Sequence, residues 1–310
     1  MKLLIVGAAG QVGQALMRVC ADLHIDHIGL GHEQLDIRQP ESIVAVLQRE
    51  KPDYVVNAAA VSDVTLAQAE AAECYAINRD GVANLARACS AQGVALLHLS
   101  TDYVFDGQLG LPYTEEHKPN PQNVYGNSKY EGEEALRELC ERHIILRSSW
   151  VFGPAGNNFF SRTLQRVRNG ELVRAANDQI SCPTYTEHLA TVSIAILQQL
   201  DCQSEPPLWG TYHYCDRGPT TRYDFARTIA TTATQRSELP EAEVVPVESA
   251  ELNERAQTAR HSVLSTDKLF FTFGIRQRGW RQGVKRAVEY AANQQSSHDL
   301  NGSKVLHGNG

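Results

Sequence analysis

The chain has 310 residues, 42% of them apolar and 21% charged, enough to bury one large core or two smaller ones. Its formal net charge of −7 argues against a nucleic-acid partner, which selects a basic excess, but leaves room for a locally positive pocket that takes an anionic small molecule. No apolar run approaches the ~20 residues that span a bilayer, so no membrane partner is expected.

The opening Met1–Gly7 is charged and then apolar, as in an export signal. Its apolar stretch is short and runs straight into glycines, so it reads as a first strand. The seven cysteines (Cys20, Cys74, Cys89, Cys140, Cys182, Cys202 and Cys215) are widely spaced with no Cys-x-x-Cys. They fit reduced thiols in a cytoplasmic protein. The eleven histidines form no His-x-x-x-His and no His-Glu-x-x-His, and no metal ligand set is assigned.

Buried strands are expected at Leu3–Val6, His27–Leu30, Tyr54–Asn57, Leu96–Ser100 and Ile144–Arg147. Helical spacing lies between them, over Gln11–Ala21, Glu41–Glu50, about Cys74–Gln92 and Ser128–Arg142. Leu85, Ala88, Cys89 and Gln92, for example, follow the i, i+3, i+4, i+7 rule. Strand–helix alternation predicts an α/β fold with a parallel sheet covered on both faces. After Trp150 the rhythm changes at the Gly, Pro and Asn cluster Gly153–Asn158. Short strands are expected at Thr211–Cys215 and Glu243–Val247. The predicted division is a dinucleotide-binding unit over 1–150 and a smaller mixed α/β substrate unit over 151–292, with the chain free to cross back into the first. The polar tail, 293–310, is expected to be disordered.

Gly7-Ala8-Ala9-Gly10-Gln11-Val12-Gly13 follows the first strand and opens a helix. Glycines there let the backbone approach a pyrophosphate, with free N–H groups and the positive end of the helix dipole facing the anion. This context makes the sheet a Rossmann-type, doubly wound one. The second strand ends in Leu30-Gly31-His32, with no acid at the position that binds a ribose 2′-hydroxyl, although Glu33 is near. NADPH is therefore expected, with NADH left open. Asp36 and Ile37 are placed to approach the adenine, the alternative for Asp36 being a turn cap. The small residues Asn57-Ala58-Ala59-Ala60 end the third strand and suit either a cofactor or simple close packing.

Tyr125 and Lys129 are spaced i, i+4 and share one helix face. A phenol titrates near 10, and a neighbouring ammonium favours the phenolate, which makes the tyrosine a better acid towards a developing alkoxide. The same lysine can reach the nicotinamide ribose. At the end of the fourth strand, Thr101 can donate to a substrate carbonyl and Asp102 can hold a sugar hydroxyl. The competing role for both is a local cap.

These motifs, with Ser100-Thr101-Asp102-Tyr103-Val104-Phe105-Asp106-Gly107, Asn123-Val124-Tyr125-Gly126 and Arg147-Ser148-Ser149-Trp150-Val151-Phe152, resemble the dTDP-4-dehydrorhamnose reductase family of the extended short-chain dehydrogenases. Gly156-Asn157-Asn158-Phe159 and Asn177-Asp178-Gln179 continue the resemblance, which covers about residues 1–290. It implies that NADPH gives a hydride to C4 of dTDP-4-dehydro-L-rhamnose, yielding dTDP-L-rhamnose. It also implies Tyr125 as proton donor, Lys129 as its electrostatic and ribose partner, and Thr101, Asp102 and Trp150 around the sugar. Trp150 could equally be a core residue. Gly10, Gln11 and Val12 would touch the pyrophosphate, and Asp36, Ile37, Ala60, Val61 and Ser62 would complete the cofactor cleft. The family's Arg-Pro before a Ser-x-Leu segment is missing, with only Arg255 and Arg260 nearby. Magnesium at a dimer interface, implied for some members, has Glu187 as its one candidate here; a homodimer is expected on the same ground.

Three other readings compete. A dehydratase of this superfamily carries an acid after Thr-Asp, where this chain has Tyr103. A 4-ketoreductase of another nucleotide-deoxysugar fits the same motifs. A non-catalytic NADP-binding subunit, such as the regulatory subunit of methionine adenosyltransferase, shares the fold but would not need the full Thr101, Tyr125 and Lys129 set.

Overall fold

The computed structural model describes residues 1–202, 208–237, 239, 242–252 and 258–305, with residue 237 and residues 295–305 described as backbone alone. In chain order the first half comprises β1 (Lys2–Val6), α1 (Gln11–Asp22), β2 (Asp26–Leu30), α2 (Pro40–Glu50), β3 (Tyr54–Asn57), α3 (Val64–Ala69), α4 (Ala71–Tyr75), a π-helical turn (Ala76–Gly81), α5 (Val82–Gln92), β4 (Ala95–Thr101), a 3₁₀ turn (Asp102–Val104), α6 (Val124–Leu139) and β5 (His143–Ser148). The second half comprises β6 (Val151–Phe152), α7 (Phe159–Arg168), β7 (Val173–Ala176), β8 (Ile180–Ser181), β9 (Thr184–Tyr185), α8 (Thr186–Cys202), β10 (Gly210–His213), β11 (Thr220–Thr221), α9 (Arg222–Ser237), β12 (Val244–Val247), α10 (Asp267–Phe273) and α11 (Trp280–Val305).

Six parallel strands form the main sheet in the order β10-β5-β4-β3-β1-β2. The inner strands are unbroken apolar runs, as burial on both faces requires: Leu3, Leu4, Ile5 and Val6 have no exposed surface. One face packs on α1, α8 and α10 through Leu16, Ile194, Leu197 and Leu269; the other packs on α2, α5 and α6 through Ile43, Leu85 and Leu136. The sheet is thus doubly wound. Its direction reverses between β1 and β3, where a crevice opens outside the strand carboxyl ends.

The boundary expected at residue 150 is crossed twice. The strand expected at Thr211–Cys215 is β10, which pairs in parallel with β5 and extends the main sheet, and α8 lies on the same sheet face as α1. The remaining second-half elements make their own core, where Phe152, Phe160, Phe225 and Trp280 pack together. The tail from Asn293, expected to be disordered, is helical backbone in α11 as far as Val305, and 306–310 fall outside the described residues.

Two local departures shape the site. The helix expected to begin at Ser128 begins at Val124, because Asn123 Oδ1 caps it by accepting from the Gly126 N–H at 2.8 Å. The single helix expected over Cys74–Gln92 contains the π turn, a feature that occurs mostly at functional sites.

Candidate active site

The glycine loop sits at the β1–β3 switch point. Gly7 adopts φ +80°, and a Cβ there would lie 2.6 Å from the Ala59 nitrogen. A Cβ on Gly13 would strike Gly7 O. The Gly7 and Ala8 N–H groups both donate to Leu30 O, at 2.9 and 3.1 Å, which ties the turn to the end of β2. Gly10 is the N-cap of α1; no side chain caps that helix and its first turn carries no acid. The early α1 N–H groups therefore stay available to an anion, and a Cβ on Gly10 would meet only Gly7 O. These orphan donors, in a cradle that side chains would fill, fit a dinucleotide pyrophosphate.

The adenine side is more committed than the sequence suggests. The Asp36 carboxylate is gripped by Arg38, with Nη2 at 2.7 Å and Nε at 2.9 and 3.0 Å, and Arg38 also pairs with Glu73 at 2.7 Å. Hydrogen bonding to Arg38 holds the Asp36 carboxyl below its usual range. Ile37 is buried, with its side chain filling the space beneath Gly81. Asp36 and Ile37 are thus both fixed in place by their neighbours. Ala60 and Ser62 are exposed, and Val61 is half-buried. Asn78, on the π turn, clamps Val61: its Oδ1 accepts from the Val61 N–H at 2.9 Å and its Nδ2 donates to Val61 O at 3.0 Å. The same Nδ2 reaches Ser128 Oγ at 3.0 Å, joining the cofactor wall to α6. Sequence reasoning missed Asn78, because nothing in a helical pattern marks a π turn.

Thr101 and Tyr125 meet. The Thr101 hydroxyl bonds the phenol, which opposes a strong upward push on the Tyr125 pKa from burial. Thr101 Oγ1 also accepts from the Tyr103 N–H at 3.2 Å, so the cap and the site contact coexist. Lys129 Nζ lies one turn below the phenol, 2.7 Å from Leu99 O and 3.0 Å from His98 Nε2, and burial lowers its pKa to about 8. Asp102 is turned inward: its Oδ2 accepts from Ser262 Oγ at 2.5 Å and Ser181 Oγ at 3.4 Å. Burial raises its pKa to about 6.

Trp150, half-buried after β5, holds φ +42°, a rare backbone for so large a residue. The Arg222 guanidinium, at the start of α9, covers its ring at 3.6 Å. Neighbouring Asn158 ties the second half to the glycine loop, its Nδ2 donating to Gln11 Oε1 at 3.1 Å. Glu187 pairs with Arg18 at 3.4 Å, and among the described residues no group of three or more His, Cys, Asp or Glu could hold a metal ion. Arg255 lies outside the described residues.

A strand-end threonine touching the tyrosine of a helical Tyr-x-x-x-Lys, beside a glycine-lined switch point, defines an oxidoreductase of the short-chain dehydrogenase type. Residues 1–293 match the model of the RmlD substrate binding domain family. The chain is 35% identical to dTDP-4-dehydrorhamnose reductase of Aggregatibacter actinomycetemcomitans, covering 94% of this chain and 99% of that one. Among solved structures it resembles a dTDP-4-dehydrorhamnose reductase from Clostridium acetobutylicum (TM-score 0.86, 30% identity, 94% and 99% of the chains). It also resembles the Bacillus anthracis dTDP-4-dehydrorhamnose reductase in complex with NADP (TM-score 0.85, 30% identity, 93% and 99%). The chain belongs to the RmlD family.

Proposed function

We propose that the chain reduces the C4 keto group of dTDP-4-dehydro-L-rhamnose with NADPH, giving dTDP-L-rhamnose. The observation that carries this reading is the Thr101–Tyr125 contact above Lys129 at the mouth of the β1–β3 crevice. The Bacillus anthracis relative binds NADP, and the absence of an acid directly after Leu30 suits a 2′-phosphate. When bound, NADPH supplies the hydride. Thr101 and Tyr125 orient the carbonyl oxygen, and Tyr125 gives it the phenolic proton. Lys129 offers N–H donors to the nicotinamide ribose and, once protonated, charge to the phenolate. Trp150 borders the sugar, and Asp102 reaches a sugar hydroxyl only by turning from Ser262 and Ser181. The glycine loop and first turn of α1, including Gln11 and Val12, hold the pyrophosphate, with Asp36, Ile37, Ala60, Val61 and Ser62 framing the rest of the cofactor.

Residues 1–150 would carry the NADP site and most of 151–292 the sugar-nucleotide site. A cytoplasmic location and a homodimer are proposed on the family resemblance; no helix of the described residues is long and apolar enough to cross a membrane. The test is NADPH oxidation with dTDP-4-dehydro-L-rhamnose, comparing wild type with Tyr125→Phe. Loss of a positioned acid is expected to slow turnover ~10²–10⁴-fold while NADPH still binds. Tight NADPH binding without turnover in the wild type would refute the reductase reading.

A further inference from the structure

Beneath the catalytic lysine lies a buried hydrogen-bond chain that the reaction as written does not use. Asn57, at the end of β3, and His98, in the middle of β4, have no exposed surface. Asn57 Oδ1 faces the Ala59 N–H at 3.0 Å, Asn57 Nδ2 faces His98 Nδ1 at 3.0 Å, and His98 Nε2 faces Lys129 Nζ at 3.0 Å.

The polarity of this chain is fixed from its far end. A backbone N–H can only donate, so the Asn57 atom beside Ala59 is the carbonyl oxygen. The Asn57 amino group must then point at His98 Nδ1, which has to accept. A neutral imidazole that accepts at Nδ1 carries its proton on Nε2. That Nε2–H points at Lys129 Nζ. An ammonium has no lone pair, so a charged Lys129 would set N–H against N–H. A neutral amine accepts from His98, still donates to Leu99 O at 2.7 Å, and keeps one further N–H. The opposite arrangement, an ammonium donating to Nε2, puts the His98 proton on Nδ1 against the Asn57 amino group. A doubly protonated His98 meets the same conflict.

We infer that Asn57 and His98 are positioning residues that bias Lys129 toward the neutral amine in the resting site. Burial acts in the same direction: it lowers the Lys129 pKa to about 8 and keeps His98 well below its ordinary value. The other titratable groups facing the lysine are Tyr125 and Glu133 on α6 and Cys74 on α4; Glu133 and Cys74 oppose the shift, and Glu133 is already engaged by Arg147 and Arg137. The inference rests on the reductase reading and deepens it. A neutral Lys129 leaves Tyr125 as the protonated phenol that reduction consumes. As hydride from NADPH reaches the carbonyl carbon and the phenolic proton reaches its oxygen, a solvent proton restores the Tyr125–Lys129 pair.

The first test needs no substrate. A long-range ¹⁵N–¹H spectrum of the full chain should show His98 as one neutral tautomer above about pH 8, where Lys129 gives up its proton, with Nε2 protonated and Nδ1 bare. A proton on Nδ1 would overturn the inference. The second test is Asn57→Asp, which reverses the polarity. The introduced carboxylate accepts from both the Ala59 N–H and His98 Nδ1–H, leaving Nε2 to accept from an ammonium. The His98 tautomer should switch. The pH step in NADPH binding that Lys129→Met abolishes should move up by about one unit or more. An unchanged tautomer and an unmoved step would also overturn the inference. Should Asn57→Asp not fold, the wild-type spectrum still decides. Failure of the wild type to turn over dTDP-4-dehydro-L-rhamnose would sink the reductase reading while leaving the tautomer result intact.

Discussion

Replacing Asp102 with Asn should separate what the fold wants from what the site wants. The Asp102 side chain is 1% exposed, and burial raises its pKa from 3.8 to about 6 against the opposing pulls of Ser262, Arg222 and Thr101. In the unfolded chain an aspartate titrates near 3.9, so the difference of about two units corresponds to ~3 kcal/mol. The folded state binds the extra proton. Stability therefore falls as pH rises between about 4 and 6 and stays reduced above that window. Asparagine keeps the shape and an acceptor for Ser262 but does not titrate. Relative to wild type, Asp102→Asn should gain ~3 kcal/mol in unfolding free energy between about pH 4 and pH 8. Urea unfolding at fixed pH values measures this directly, with unchanged m-values showing that the unfolded states match. A pH-independent difference would mean that the native site leaves the carboxyl pKa unshifted, and one that moves against the variant as pH rises would mean that it stabilises the anion; either result refutes the burial penalty. The same variant should lose kcat/KM for the sugar nucleotide. Stability gained and activity lost together would show that the buried carboxylate is kept for the site at the fold's expense.

Lys129→Met should raise the KM for NADPH and lower kcat together, because one nitrogen serves both the ribose and the phenol; steady-state kinetics with unchanged constants would remove Lys129 from the site. Gly13→Ala should weaken NADPH binding at least ~10-fold and lower the melting temperature, since the added Cβ would strike Gly7 O and push the loop away from α1. Gly93→Ala meets no atom within 4 Å and serves as its control for melting, its only cost being the left-handed φ of +67°.

Much of the cofactor half was legible in the sequence, because its signals are local. Leu3–Val6 and the three glycines specify strand, turn and helix within a dozen residues, and Tyr54–Asn57 is a strand with the bounds its apolar run predicts. That Tyr125 and Lys129 share one helix face was legible from their spacing. What stayed hidden depends on contacts made across the chain. Asp102 reads as a free strand-end acid until Ser262, 160 positions away, turns it inward. Asp36 reads as a free turn acid until Arg38, itself paired with Glu73, grips its carboxylate. His98 and Asn78 sit in patterns that any buried strand or helix would show; only the fold sets them against Lys129 and Val61. The Thr211–Cys215 segment reads as a strand, yet nothing local says that it joins β5 rather than the second unit.

The face of α6 explains why one helix can serve both chemistry and core. Tyr125, Lys129 and Glu133 recur every four residues, so they stack along one line from the crevice into the interior. Each meets a different environment. Tyr125 is half-buried and touches Thr101, where a substrate oxygen would lie. Lys129 is 2% exposed and bonded to the backbone and to His98. Glu133 has no exposed surface and accepts from Arg147 at 2.6 and 2.9 Å, Arg137 at 2.8 Å and Ser100 at 2.6 Å. The two arginines and the serine satisfy that carboxylate so fully that its pKa falls despite burial. Its charge is then shared with the arginines, and its upward pull on Lys129, one turn above, does not overcome burial. An unpaired carboxylate at the same place would hold the lysine firmly as an ammonium. The deep ion pair thus moderates the carboxylate's pull and leaves the proton state of Lys129 open to His98 and, when it binds, to the cofactor.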